Sequence, residues 1–292
     1  MISELMQFIF SGITTGSIYA LTALGFTIIY NASGVINFAQ GEFIMLGGMS
    51  AVFLAGAGLP LPFAIILAVG ITGLAGLLLE KFAIEPAKNA EVVGLIIITI
   101  GASLTIRGLV QVWLGKGSHA LPAFSGDTPI VFFGASLMPQ SLWVVGVMLL
   151  IVLLLSWFFG RTLLGKAMLA TSHNRLAAQL VGINTRLILL LSFGMAAVLG
   201  AVGGIIIAPI TYTSYDVGIM LGLKGFVAAV LGGLGGGAGA IAGGLILGIA
   251  EAMTAGYVSS AYKDAVPFVL ILLILFFKPS GLFGSRVSAE RV

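Results

Sequence analysis

Apolar runs of bilayer-spanning length follow one another along almost the whole chain, and they leave few folds open. A helix needs about 20 apolar residues to cross the hydrocarbon core. The runs fall at Phe8–Ile29, Ile36–Leu54, Leu61–Leu79, Val92–Leu114, Leu142–Phe159, Leu187–Ile207, Ile219–Leu234, Ala238–Ala255 and Ala265–Phe277. Three of them, Ile36–Leu54, Ile219–Leu234 and Ala265–Phe277, are short, so one or more is expected to be re-entrant or broken. That puts the expected count at eight or nine. Only 8% of the 292 residues are charged, against about 25% in ordinary soluble domains, too few to cover a soluble surface of this size. The fold class is therefore all-α, a polytopic membrane protein forming a single transmembrane domain over residues 1–292.

Glycine shapes how such helices meet. The 42 glycines are about twice the usual share of roughly 7%, and they sit among Leu, Ile and Val rather than in a polar linker. Small residues let transmembrane backbones approach closely. Gly236, Ala240, Gly244 and Gly248 recur every fourth residue and so mark one packing face of a helix. The surrounding "GGLGGGAGAIAGG" approximates a dinucleotide-binding fingerprint. It lacks the preceding strand and the acidic ribose partner that such a site needs. No phosphate-binding G-x-x-x-x-G-K-[ST] loop occurs, so the chain is not expected to hydrolyse ATP by itself. The absence of cysteine excludes disulfides and thiolate metal sites. His119 and His173 are too far apart in sequence to form a recognisable ligand motif.

Charge placement gives the orientation. Residues 161–186 carry Arg161, Lys166, Arg175 and Arg186 and no acid, which marks that segment as cytoplasmic. The tail 278–292, with Lys278, Arg286 and Arg291, belongs on the same side. The loop 115–141 is then external, flanked by the interfacial Trp113 and Trp143, and Lys81–Glu91 is internal. Within the external loop, "TPIVFFGASLMP" reads either as a short hairpin or as an interfacial apolar loop. Residues 1–80 hold no Lys or Arg. They lack the basic start of a cleaved signal, so the first apolar run is expected to stay in the mature protein. The side of the N-terminus turns on whether Ile36–Leu54 crosses completely.

Polar groups at membrane depth are costly and usually face the bundle interior or a water-filled path. "GVINFAQGEF" brings Asn37, Gln40 and Glu42 within six residues, and Lys224 and Glu251 lie in later spans. These five are candidate path or bundle-interior residues. A helical Asn37–Phe43 would place Asn37, Gln40 and Gly41 on one face, lining the path or forming a wetted helix entrance. A Lys224–Glu251 pair is sterically possible. Arg107, one to two turns from the outer interface, is expected to snorkel.

The stretch "GKAMLATSHNRLAAQLVGIN" contains a two-turn helix, with Asn174 as N-cap, Leu176, Leu180 and Val181 as a narrow apolar face, and Gly182 as the stop. A helix this short needs something to pack against, either its own bundle or a groove on a cytoplasmic partner. Ala177, Ala178 and Gly182 match the A-A-x-x-x-G part of the loop by which membrane subunits of ATP-binding-cassette importers contact their ATPases. Leu176 stands where that pattern has Glu. With "GSIYALTALGFTIIYNASGVINFAQGEF", "GLKGFVAAVLGGLG" and "KPSGLFG", the chain resembles the branched-chain amino-acid (LivH-type) permease branch of that family. The resemblance implies a non-catalytic subunit in a bacterial plasma (inner) membrane. It implies a second homologous permease, two cytoplasmic ATPase subunits and an external binding protein as partners. It implies no cofactor on this chain, ATP and Mg residing on the ATPases. Asn174, Arg175, Ala177, Ala178 and Gly182 would be the ATPase contacts. The substrate would be leucine, isoleucine or valine, with urea, short amides or other amino acids as the alternative within the branch.

Three other classes fit less well. A secondary transporter would show inverted repeats, a passive channel a charge ring or carbonyl filter, and an intramembrane enzyme a catalytic constellation. No such pattern is evident in the sequence.

Overall fold

The computed structural model describes residues 2–87, 90–132 and 134–284. In chain order these form α1 (Ile2–Ser33), α2 (Gln40–Gly56), α3 (Leu61–Leu79), α4 (Val92–Leu114), β1 (Ile130–Phe132), β2 (Ala135–Leu137), α5 (Pro139–Arg161), α6 (Leu163–His173), α7 (Arg175–Leu180), α8 (Thr185–Thr211), α9 (Val217–Gly232), α10 (Gly237–Tyr257) and α11 (Val266–Phe277). A π-helical turn, Glu80–Ile84, prolongs α3, and a 3-10 turn, Ser260–Ala265, leads into α11. Among the described residues, 7 helices are long and apolar enough to cross a bilayer. The shorter α2 and α9, at 17 and 16 residues, complete the nine segments expected from the sequence.

Two ends can be told apart. Lys278 and the loop of residues 161–186 share one end, where the Leu282 and Phe283 N–H groups donate to the Leu231 and Gly232 carbonyls at 2.8 and 3.1 Å. Asn31, near the end of α1, donates to the Gly235 carbonyl there at 2.9 Å. The opposite end carries the β1–β2 hairpin. Gln7 of α1 grips it through Ser136, donating to the carbonyl at 2.9 Å and accepting from the N–H at 2.7 Å. The start of α1 and the chain's last described residues therefore lie at opposite ends, the relation that an odd number of crossings requires. Arg286 and Arg291 fall outside the described residues. The hairpin itself settles the two readings of the external loop: Ile130 pairs with Leu137 and Phe132 with Ala135, across a turn in which Gly134 takes φ +76°. A left-handed φ is cheap only for glycine.

The first helix is the centre of the bundle, packed by α8, α9 and above all α10. The α1–α10 contact is between backbones. A methyl group at Gly12 would stand 2.6 Å from the Ile249 Cα, and one at Gly244 would stand 2.6 Å from the Ala20 Cα. Gly248 lies against Gly16 in the same seam, and Ala240 is fully buried. Gly236 departs from the expected stripe. It precedes α10 with extended backbone, and a methyl there would meet only its own turn, at 3.5 Å. The four-residue periodicity runs one step beyond the helix that gives it meaning.

Two span boundaries also differ from expectation. The run Phe8–Ile29 is only the middle of a 32-residue helix. The run Ile36–Leu54 is helical only from Gln40, because residues 34–39 enter the bundle as irregular chain.

Candidate functional site

The loop expected to hold one short helix holds two. Thr162 ends α5 and caps α6, its hydroxyl accepting from the Gly165 N–H at 3.0 Å. Gly165 lies directly on the Phe158 carbonyl, so α6 folds back tightly on α5. Asn174 then caps α7, accepting from the Ala177 N–H at 3.0 Å. Gly182, at φ +88°, reverses the chain toward α8. The Thr162 cap was readable in the sequence; the basic residues around it gave the segment the look of a plain loop.

The exposed side of α7 is apolar. Leu176, Leu180 and Val181 are 73%, 88% and 77% exposed, so this face does not pack on its own bundle. Arg175, Ala177 and Gly182 are exposed beside it. Ala178 is different: it is 2% exposed and turned inward, so its methyl is part of the anchorage of α7 rather than of an outer surface. Gln179 adds to that anchorage by donating to the Thr185 hydroxyl at 2.8 Å.

Deep in the bundle, the irregular entry to α2 carries the polar cluster. Gln40 lies against Gly25, eight residues before the end of α1, which places the start of α2 about 12 Å inside the bundle. Asn37 is not helical. Its Oδ1 accepts from the Ala39 N–H at 3.0 Å, forming a turn of the kind Asn favours. The Phe38 N–H donates to the Thr99 hydroxyl at 3.2 Å, and the Gln40 side chain donates to the Ala196 carbonyl at 3.0 Å. These bonds satisfy backbone that would otherwise be orphaned in an apolar setting. The single helical face expected for Asn37, Gln40 and Gly41 does not form, because Asn37 precedes the helix.

Glu42 follows in the first turn of α2 and is 1% exposed. Its Oε1 accepts from the Ser103 hydroxyl at 2.8 Å and forms an ion pair with Arg107 of α4. Arg107 thus does not snorkel. It lies seven residues before the end of α4, about 10 Å from that end, and a buried carboxylate is nearer than water.

The second charged cluster joins four elements. Lys224 of α9 meets Glu251 of α10 at 2.9 Å and Asp264 of the 3-10 turn at 2.7 Å. The Tyr19 hydroxyl of α1 donates to the other oxygen of Glu251 at 2.6 Å. Lys224 and Glu251 are almost wholly buried, whereas the Asp264 side chain is about half exposed. Neither Tyr19 nor Asp264 was singled out by sequence reasoning. Tyr19 sits in an unbroken apolar run, and Asp264 just outside the boundary of the last one.

Comparison with known proteins places this architecture. The family model for the branched-chain amino acid transport system / permease component matches residues 8–275. The chain belongs to that permease family. The permease is 36% identical to the high-affinity branched-chain amino acid transport system permease protein LivH of Escherichia coli, over 98% of this chain and 97% of that one. It is 34% identical to the BraD permease protein of the corresponding Pseudomonas aeruginosa system, over 98% of both chains. The ribose import permease protein RbsC of Escherichia coli is 29% identical, over 88% of this chain and 81% of its own. Among solved structures, PsaBC from Streptococcus pneumoniae in complex with Fab shares the fold, with a TM-score of 0.55 at 14% identity over 99% of this chain and 100% of that one.

Proposed function

We propose that this multi-pass membrane permease forms half of the translocation path of an ATP-driven importer for branched-chain aliphatic amino acids. The observation that carries this reading is the exposed apolar face of α7, on a chain alike over its full length to permeases named for that transport. A six-residue helix with two exposed leucines, and an exposed valine just after it, has no stability of its own and suits a groove on a partner. The partner is the ATPase, one copy for each of two homologous permeases, and ATP and Mg stay on it. Asn174, Arg175, Ala177 and Gly182 form the contact around the apolar prongs, and Ala178 holds the helix from behind.

On this reading the end bearing α7 and the C-terminus is cytoplasmic, in a bacterial plasma membrane. The start of α1 and the hairpin are external, where a binding protein delivers substrate. Closure of the ATPase pair pushes α7, and the tight α5–α6 fold at Gly165 carries the displacement into the bundle. The burial of Asn37, Gln40, Glu42, Lys224 and Glu251 favours the role of holding the bundle together over that of lining an open path.

The test is uptake into proteoliposomes holding the permease and its purified partners. ATP-dependent leucine uptake that excess valine suppresses and urea does not is the expected result. Uptake without ATP, or competition by urea and not by valine, would refute the reading.

A further inference from the structure

Among the described residues, every positive φ but one belongs to a glycine. The exception is Tyr212, which ends α8 at φ +62° and ψ +169°, a region that only glycine enters without cost. A chain that places glycine at nine such positions keeps a 57% exposed tyrosine at this one. Such strain persists only where the surroundings impose it. Here they do so from both sides. The Tyr212 N–H donates to the Ala208 carbonyl at 3.1 Å as the last link of α8. Thr213, the next residue, exchanges both backbone bonds with His119 of the external loop, each at 2.8 Å. Thr213 is 3% exposed and lies on α2, where a methyl on Gly48 would stand 2.9 Å from its Oγ1. The His119 ring meets Phe53 of α2 edge-on, with centroids 4.9 Å apart. Tyr212 takes up the whole reversal between these anchors. The bridge is one residue long, and Ser118, Ala120 and Tyr212 around it are exposed, so little else holds the turn against its strain.

The turn leads directly into α9. Ser214 donates to the Asp216 carboxylate at 2.6 Å, and α9 begins at Val217. Its first half lies on α2 and α1 through glycine: Gly218 and Gly222 face Gly41, and Gly225 faces Thr22. A seam of such small residues has no interlocking side chains, so packing does not block a small slide of α9 along it. We propose that residues 211–216 are a sprung latch on the outer end of α9. The His119–Thr213 bridge holds the turn in its strained form, and opening the bridge relaxes Tyr212 and frees the start of α9. The latch opens once in each transport cycle, a role that rests on the import function proposed above.

Two measurements on the full-length permease test the latch. The first is hydrogen exchange in nanodiscs, read by mass spectrometry on the peptides containing His119 and Thr213, whose amides exchange only when the bridge opens. Tyr212→Gly relieves the closed state, and exchange is expected to slow about 10-fold, a shift of about 1.4 kcal/mol. The added chain freedom of glycine alone would speed it. Tyr212→Ala loses the same ring but keeps the strained backbone, and is expected to exchange as the native chain does. Equal or faster exchange in Tyr212→Gly overturns the latch. The second is leucine uptake by proteoliposomes with the partner subunits present, using His119→Cys/Thr213→Cys. The native chain has no cysteine, and a directly bonded antiparallel pair stands at about 5.5 Å between Cα atoms, within reach of a disulfide. The oxidised variant is expected to lose uptake that reduction restores, whereas equal uptake in both states overturns the latch as a step of transport. Absence of leucine uptake by the native chain would instead refute the import reading, and the exchange measurement, which needs no substrate, still decides the latch.

Discussion

Replacing Lys224 by Met removes the hub of the buried ionic cluster while keeping its length and much of its packing. In the native bundle Lys224 is the cationic partner of Glu251, at 2.9 Å, and Glu251 is 6% exposed. After the change Glu251 keeps only the Tyr19 hydroxyl, and its buried charge has no counterion. Asp264, about half exposed, can turn to solvent and suffers less. Removing one member of a buried pair costs about 3–5 kcal/mol. Taking about 3 kcal/mol, the low end of that range because Asp264 is half exposed, the unfolding equilibrium shifts roughly 100-fold. The assay is reversible unfolding in mixed micelles of K224M, E251L and the double variant. In the double variant no unpaired charge remains beside Tyr19, so it should be clearly more stable than K224M alone. A coupling of 1.5 kcal/mol or more is expected, since residues in one charged network couple by about 0.5–3 kcal/mol. If the two single costs simply add to within about 0.5 kcal/mol, the cluster is not energetically coupled and the reasoning fails.

Glutamate at Leu176 and Leu180 should leave the isolated permease within about 0.5 kcal/mol of native stability, because both side chains are exposed. It should abolish co-purification with the ATPase subunits. Gly182→Leu places a branched side chain at φ +88°, costing roughly 1–2 kcal/mol locally and tilting α7. The expected readout is ATP hydrolysis that substrate-loaded binding protein no longer stimulates. Gly244→Val sets new carbon atoms within 2.6 Å of the Ala20 Cα and must part α1 from α10. A loss of about 1–3 kcal/mol and a lower yield of folded protein are expected, measured by unfolding and by monodispersity on size exclusion.

The spans were legible because lipid imposes a length and a composition on each crossing helix, and those appear directly as apolar runs. The hairpin was half legible, since Gly134 sits between two β-prone runs but an apolar loop has the same composition. The cap at Asn174 and the stop at Gly182 were legible because both act within a few residues of chain. What escaped detection was long-range. Arg107 looked like a snorkelling residue until the irregular entry to α2 carried Glu42 down to its depth. Tyr19 and Asp264 come from opposite ends of the sequence to one Lys224–Glu251 pair, and no local pattern announces such a meeting. Gly236 was over-read for the converse reason: periodicity continues in the text of a sequence after the helix has begun or ended.

The place of α1 at the centre of the bundle also bears on how the chain is made. This helix has the lowest mean hydropathy of the 7 long spans and is the most completely enclosed by the finished bundle. It is also synthesised first, and the face that α10 will cover must wait for α10 to arrive. At about 5–20 residues per second, the stretch from Gly16 to Gly244 takes roughly 10 to 45 s. During that interval α1 stands in lipid with its small, polar residues uncovered. The bonds from Thr14, Ser17 and Thr22 to their own helix make this tolerable, since each hydroxyl is satisfied before any neighbour exists. The first span thus carries its own temporary solvation, and the seam of glycines that α10 later closes stays accessible until its partner emerges.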